Sequence, residues 1–203
     1  DPVITPKILA MIFGIGTFII LYKLPKIAFG TEPRISDNIS VILLSASTPY
    51  VVWNISGLEN SLFIFLIIAA TYFYVRELNN NNLFPLSSFF FVCVALTRPE
   101  GIMYFIVAAI HKLVYISFAK NLTRKDLSWF TIFLLLYGIY FVWHYQYFSY
   151  FVPNTYYAKA PGGSFSDRLF NLNSSGWMYV RSFFIDYRMY LLVLFIPSLL
   201  IVK

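Results

Sequence analysis

The run "FTIFLLLYGIYFVW" (Phe130–Trp143) carries no charge and shows no polar face at helical spacing. Wound into a helix, it turns apolar side chains to every side, as a helix surrounded by lipid must. "ILLSASTPYVVW" (Ile42–Trp53) is likewise free of charge. A soluble helical protein needs polar outer faces, and these runs have none to offer. The chain around them agrees. Of its 203 residues 59% are hydrophobic, 21% aromatic and only 12% charged, against about 25% charged in a soluble domain. The charges gather in short breaks between long apolar runs, so the fold class expected is all-α, a polytopic transmembrane helix bundle.

Seven apolar segments can be drawn: Pro6–Leu24, Ile39–Trp53, Ser61–Val75, Leu83–Thr97, Gly101–Phe118, Trp129–Tyr150 and Met189–Val202. About 20 residues cross a ~30 Å hydrocarbon layer, and several runs fall short of that. Flanking Tyr and Trp extend them, and breaks at Pro49 or Pro85 are tolerated where protein or a wet cavity covers the backbone. About seven spans are therefore expected. They form a single transmembrane domain over residues 1–203, with 151–188 as a loop segment on the outer face. The opening Asp1-Pro2 lacks an initiator Met, which reads as an internal fragment of a longer protein.

If the segments alternate, the breaks Lys23–Asn38, Arg76–Asn82 and Lys112–Ser128 share one face with Lys203. That face holds nine of the fifteen Lys and Arg residues, while the short opposite breaks hold only Arg98. The positive-inside rule makes the basic face cytoplasmic, so the chain starts outside. "SGLE" (Ser56–Glu59), "TRPEG" (Thr97–Gly101) and "VPNTYYAKAPGG" (Val152–Gly163) then all fall on the outer face.

Each of these has a plain structural reading. Ser56–Glu59 and Thr97–Glu100 fit the capping-box pattern, and Thr123–Asp126 fits it more loosely. Tyr156 and Tyr157 suit an interfacial aromatic belt. The functional reading rests on placement. Glu59 and Glu100 stand at outer helix starts, where an ionisable group is costly enough to mark a site. Arg98 beside Glu100 offers a fork for phosphate. Lys159 adds a second positive contact, and Asn154 either donates to a sugar hydroxyl or caps its turn. Acids plus a phosphate clamp at a membrane surface suit a sugar carried on a lipid phosphate.

Other signals weigh little. Gly14-Ile15-Gly16 lies inside an apolar helix and reads as packing, not a nucleotide loop. His111 and His144 lack an acid or Cys at ligand spacing, so no metal site is expected from them. His144 either faces the outer cavity or packs among Tyr140, Trp143 and Phe148. Cys93 excludes an internal disulfide. The net charge of +6 reflects topology, since no basic stripe interleaved with aromatics points to nucleic acid. The sequons at Asn54 and Asn173 match a pattern common by chance. "SGWMYVRSFF" (Ser175–Phe184) reads as an interfacial amphipathic helix.

"WNISGLENSLF", "LTRPEGIMYF" and "VPNTYYAK", in this order and separated by spans, resemble bacterial polytopic glycosyltransferases of the GT-C type. The nearest group is the terminal arabinofuranosyltransferases of actinobacterial cell walls and their bacterial relatives, whose matching elements read SGLET, RPEG and PNTYYAK. Asn60 stands here in place of the Thr. The resemblance runs from Asp1 to about Gly163, and the opening looks like that family's second span entered from outside.

It implies a GT-C-like fold in a bacterial inner (plasma) membrane, and transfer of a sugar from a polyprenyl-phosphate donor to a cell-envelope glycan or lipid acceptor. Glu59, Arg98, Glu100, Asn154, Tyr157 and Lys159 would bind substrate. The catalytic acids would lie in an outer loop upstream of Asp1, and any divalent cation would bind there too. A transporter or flippase of lipid-linked sugars is the competing expectation, and a non-catalytic membrane subunit the third.

Overall fold

The computed structural model describes residues 1, 4–30, 38–57, 59–80, 84–119, 122–150 and 175–186, and all regular structure among them is helical. In chain order these are α1 (Ile4–Phe29), α2 (Ile39–Ser45), α3 (Thr48–Ile55), α4 (Asn60–Asn79), α5 (Leu86–Thr97), α6 (Gly101–Ala119), α7 (Arg124–Phe148) and α8 (Ser175–Asp186). Helices α1–α7 belong to one compact unit, Asp1–Pro153, and α8 to a second. Taken by itself, α8 is a 12-residue helix that exposes Met178, Phe184 and Ile185.

Four helices, α1, α4, α6 and α7, are long and apolar enough to cross a membrane. Their outward faces are oily: Ile15 on α1, Val107 on α6 and Leu134 on α7 are each more than half exposed. In water such faces would be a large aggregation-prone patch, whereas in lipid they cost nothing. The chain therefore has the character of an integral membrane protein.

The expected count of about seven spans is met in part. Ile39–Trp53 is two short helices rather than one. Ser47 adopts an extended backbone, and Pro49 occupies the first turn of α3, because a proline inside a continuous helix lacks an N–H and collides with the preceding turn. In the segment Leu83–Thr97, Phe84 and Pro85 are not helical and α5 has 12 residues, a length of about 18 Å. Met189–Val202 lies outside the described residues.

α5 is the axis of the bundle, packed against α4, α6 and α7. Small residues permit this. Ser87, Ser88, Val94 and Ala95 on α5, with Ala69 and Ala70 on α4, are all buried, so the helix backbones approach closely. Trp129 of α7, 1% exposed, packs at the Pro85 end of α5 and stacks on Phe105 of α6. Its indole N–H donates to Ser87 Oγ at 2.7 Å, and Ser88 Oγ donates to the Trp129 carbonyl at 2.6 Å. These bonds set the register of α5 on α7.

α1 runs alongside α4 in the same direction. Phe13 contacts Phe65, and Asn79 at the end of α4 donates to the Ile27 carbonyl near the end of α1. Gly14 and Gly16 act as packing residues, since a side chain on Gly14 would press on Asn54 and one on Gly16 would enter the Phe65 ring. Lys23, Lys26, Arg76, Lys112, Arg124 and Lys125 thus gather toward one end of the bundle, opposite the α3–α4 and α5–α6 turns.

Candidate functional site

The α3–α4 turn carries "SGLE", and its local chemistry differs from the expected capping box. Ser56 ends α3 instead of starting α4, and its Oγ donates back to the Trp53 carbonyl at 2.7 Å. Gly57 follows with φ +73°, a left-handed cap that an L side chain resists. Glu59 is the residue before α4, and its carboxylate makes no bond to the cap. The box at Thr97–Glu100 is also absent. Thr97 donates to the Cys93 carbonyl inside its own helix at 2.7 Å, and α6 begins at Gly101. A turn this tight needs a glycine there, because a Cβ on Gly101 would collide with the Val94 carbonyl. The box that does form is the loosest match, Thr123–Asp126 at the start of α7.

Freed from capping, the two carboxylates flank Arg98. Glu59 Oε1 accepts from the guanidinium at 2.7 Å across 39 residues of chain, and Glu100 Oε1 lies 3.6 Å away. Arg98 also lies over the Phe63 ring, 5.4 Å from its centroid. The hydrogen bond from Arg98, aided by a backbone N–H, holds the Glu59 carboxyl below the usual carboxylate range. The cluster is open to solvent, with the Arg98 side chain 30% and Glu59 51% exposed. Two carboxylates around one guanidinium leave a formal charge of −1. Three of the six expected site residues are thus brought together. Asn154, Tyr157 and Lys159 lie outside the described residues.

Next to this cluster, a cavity of about 60 Å³ is lined by Ala95, Leu96, Pro99, Tyr137, Tyr140, Phe141 and His144. His144 combines both of its expected environments, packing against Tyr140 and Phe148 while facing this cavity. Between α4 and α6 runs a wider apolar groove of about 600 Å³, where the Tyr74 hydroxyl and His111 Nδ1 share a 2.8 Å hydrogen bond.

The opposite end of the bundle holds a network that the residue spacing did not reveal. Lys112 of α6 is 7% exposed and pairs with Asp126 at 2.8 Å, above the rings of Tyr74 and Trp129. Glu77 of α4 accepts from the backbone N–H of Ser87 at 2.8 Å and from its hydroxyl. Asp126 serves both the cap and the ion pair. The one signal available was two charges, Glu77 and Lys112, embedded in the ends of apolar runs. Among the described residues no cluster of three or more His, Cys, Asp or Glu is placed to hold a metal ion. No family model, curated protein or solved structure matches the chain.

Proposed function

We propose that this protein is a membrane glycosyltransferase that moves a sugar from a polyprenyl-phosphate donor to a cell-envelope glycan or lipid acceptor, of GT-C-like architecture. It would lie in a bacterial inner membrane with its active face outward, the orientation that the basic inner end favours. The observation that carries this reading is the Glu59–Arg98–Glu100 cluster, in which two motifs 39 residues apart meet at one end of the bundle.

In this reading an acceptor hydroxyl attacks the anomeric carbon, the bond from that carbon to the phosphate oxygen breaks, and a carboxylate acting as general base takes the hydroxyl proton. Arg98 engages both carboxylates, so its first task is to hold them in place. Glu59 and Glu100 then accept hydrogen bonds from sugar hydroxyls. The N–H groups of Arg98 beyond those two contacts would stabilise the departing phosphate, a role the sequence reading also gives Lys159. Asn154 and Tyr157 complete the sugar contacts.

A flippase of lipid-linked sugars is the second reading. The pairing of buried Lys112 with half-buried Asp126 favours it, since ionisable groups between membrane helices often mark a pathway. Full-length protein in membranes, supplied with labelled polyprenyl-phosphate sugars, separates the two. Transfer by wild type that drops at least about tenfold in both Glu59→Gln and Arg98→Ala, at equal expression, supports the transferase. Transfer unaffected by either change reduces the cluster to a turn-stabilising ion pair. No transfer with any donor, but movement of the lipid-linked sugar across the bilayer, selects the flippase.

A further inference from the structure

Helices α5 and α7 run in the same direction, and the Ser88–Trp129 bond places the end of α5, Thr97, level with about Gly138 of α7. α7 continues to Phe148, about 15 Å further at 1.5 Å per residue. Its last turns therefore have no α5 beside them. Tyr137, Tyr140, Phe141 and His144 follow the i, i+3, i+4, i+7 spacing of one helix face. That face looks across small Ala95 to Pro99, the residue between Arg98 and Glu100. The cavity exists because one helix outruns its neighbour, and it opens beside the carboxylate cluster. Among the described residues, the hydroxyls of Tyr137 and Tyr140 and the His144 imidazole make ring contacts but no hydrogen bond. Aromatic faces with unengaged polar tips complement one kind of ligand: a ring whose faces are C–H and whose edge is hydroxyl.

We infer that the Pro99–Tyr137–Tyr140–His144 cavity is a carbohydrate subsite, taking the edge of a sugar ring whose other hydroxyls reach Glu59 and Glu100. At about 60 Å³ it has room for a few waters, and a sugar edge entering it would replace each with a hydroxyl. The inference deepens the transferase reading and rests on it for the identity of the sugar's carrier. It does not rest on it for the binding itself.

The test is saturation-transfer NMR on the full-length protein in nanodiscs, with methyl arabinofuranoside and methyl glucopyranoside as probes. Wild type should transfer saturation to the sugar ring protons. Tyr140→Leu/His144→Leu should lose at least about tenfold in apparent affinity, whereas Tyr140→Phe, which keeps the ring, should lose less. Near-ultraviolet circular dichroism and thermal unfolding check that the variants fold. Equal signals in wild type and the double variant, or none in wild type at millimolar sugar, overturn the subsite. The transfer assay keeps the two ideas apart. A raised KM with little change in kcat for the double variant supports the subsite, and normal kinetics refute it while leaving the transferase standing. Sugar binding that depends on Tyr140 and His144 in a protein with no transferase activity supports the subsite and removes the transferase.

Discussion

Arg98 joins the α3–α4 and α5–α6 turns, and its environment makes a prediction with a definite sign. Glu59 has its carboxyl pKa lowered in the folded protein, chiefly by the Arg98 hydrogen bond. Its contribution is therefore complete above the ordinary carboxylate range and disappears as pH falls through the lowered value. Carbon-13 NMR of labelled glutamate should show Glu59 titrating below the ordinary carboxylate range in wild type, and closer to that range in Arg98→Ala. Because the pair is exposed and screened, Glu59→Gln should cost less than about 1 kcal/mol of stability. A large loss of activity in that variant would then report on function and not on folding. The glycines behave oppositely. Gly57→Ala meets left-handed strain of about 1–2 kcal/mol, and Gly101→Ala forces backbones apart at about 1–3 kcal/mol. Thermal unfolding of the purified variants measures both. At this scale the sequence was a mixed guide. Spacing proposed Ser56 and Thr97 as caps, yet both hydroxyls return to their own helices, an option open to any Ser or Thr after four helical residues.

Among the elements, charge ties both ends of the bundle, in a solvent-open cluster at the Arg98 end and in a more enclosed network at the Pro85 end. Lys112, Asp126 and Thr123 link α6 to the start of α7, and Glu77 with Ser87 links α4 to α5. Removing one partner leaves the other without its counter-charge. Lys112→Met leaves the half-buried Asp126 with only its cap bonds and should destabilise by about 1–3 kcal/mol, and Lys112→Met/Asp126→Asn should recover part of that loss. A double-mutant cycle on thermal or denaturant unfolding gives the coupling. The apolar runs predicted the long helices well, because a stretch without charge has no other stable state in lipid. They predicted the short ones poorly. Proline divides α2 from α3 and delays α5, and the reach of the remaining residues depends on neighbours that spacing does not identify. The cavity was beyond reach for the same reason, since it arises from a difference in length between two helices packed together.

For the molecule as a whole, the alternation of helix directions separates a basic end from the Glu59–Arg98–Glu100 end. With Cys93 replaced, Glu100→Cys and Lys125→Cys should react with an impermeant maleimide from opposite sides of sealed vesicles. Labelling from the same side would overturn the topology. The shortness of α5 carries further. The Arg98 turn and the Pro85 turn lie only about 18 Å apart along α5, whereas the hydrocarbon layer is ~30 Å thick. Where water follows the chain to both turns, the membrane voltage falls across the shorter distance, in a field roughly 1.7 times that of bare bilayer. A charge crossing the full drop gains about 2.3 kcal/mol per 100 mV. A charged group moving between the Arg98 and Pro85 turns would feel that energy, so the membrane voltage acts more steeply along α5 than across bare bilayer.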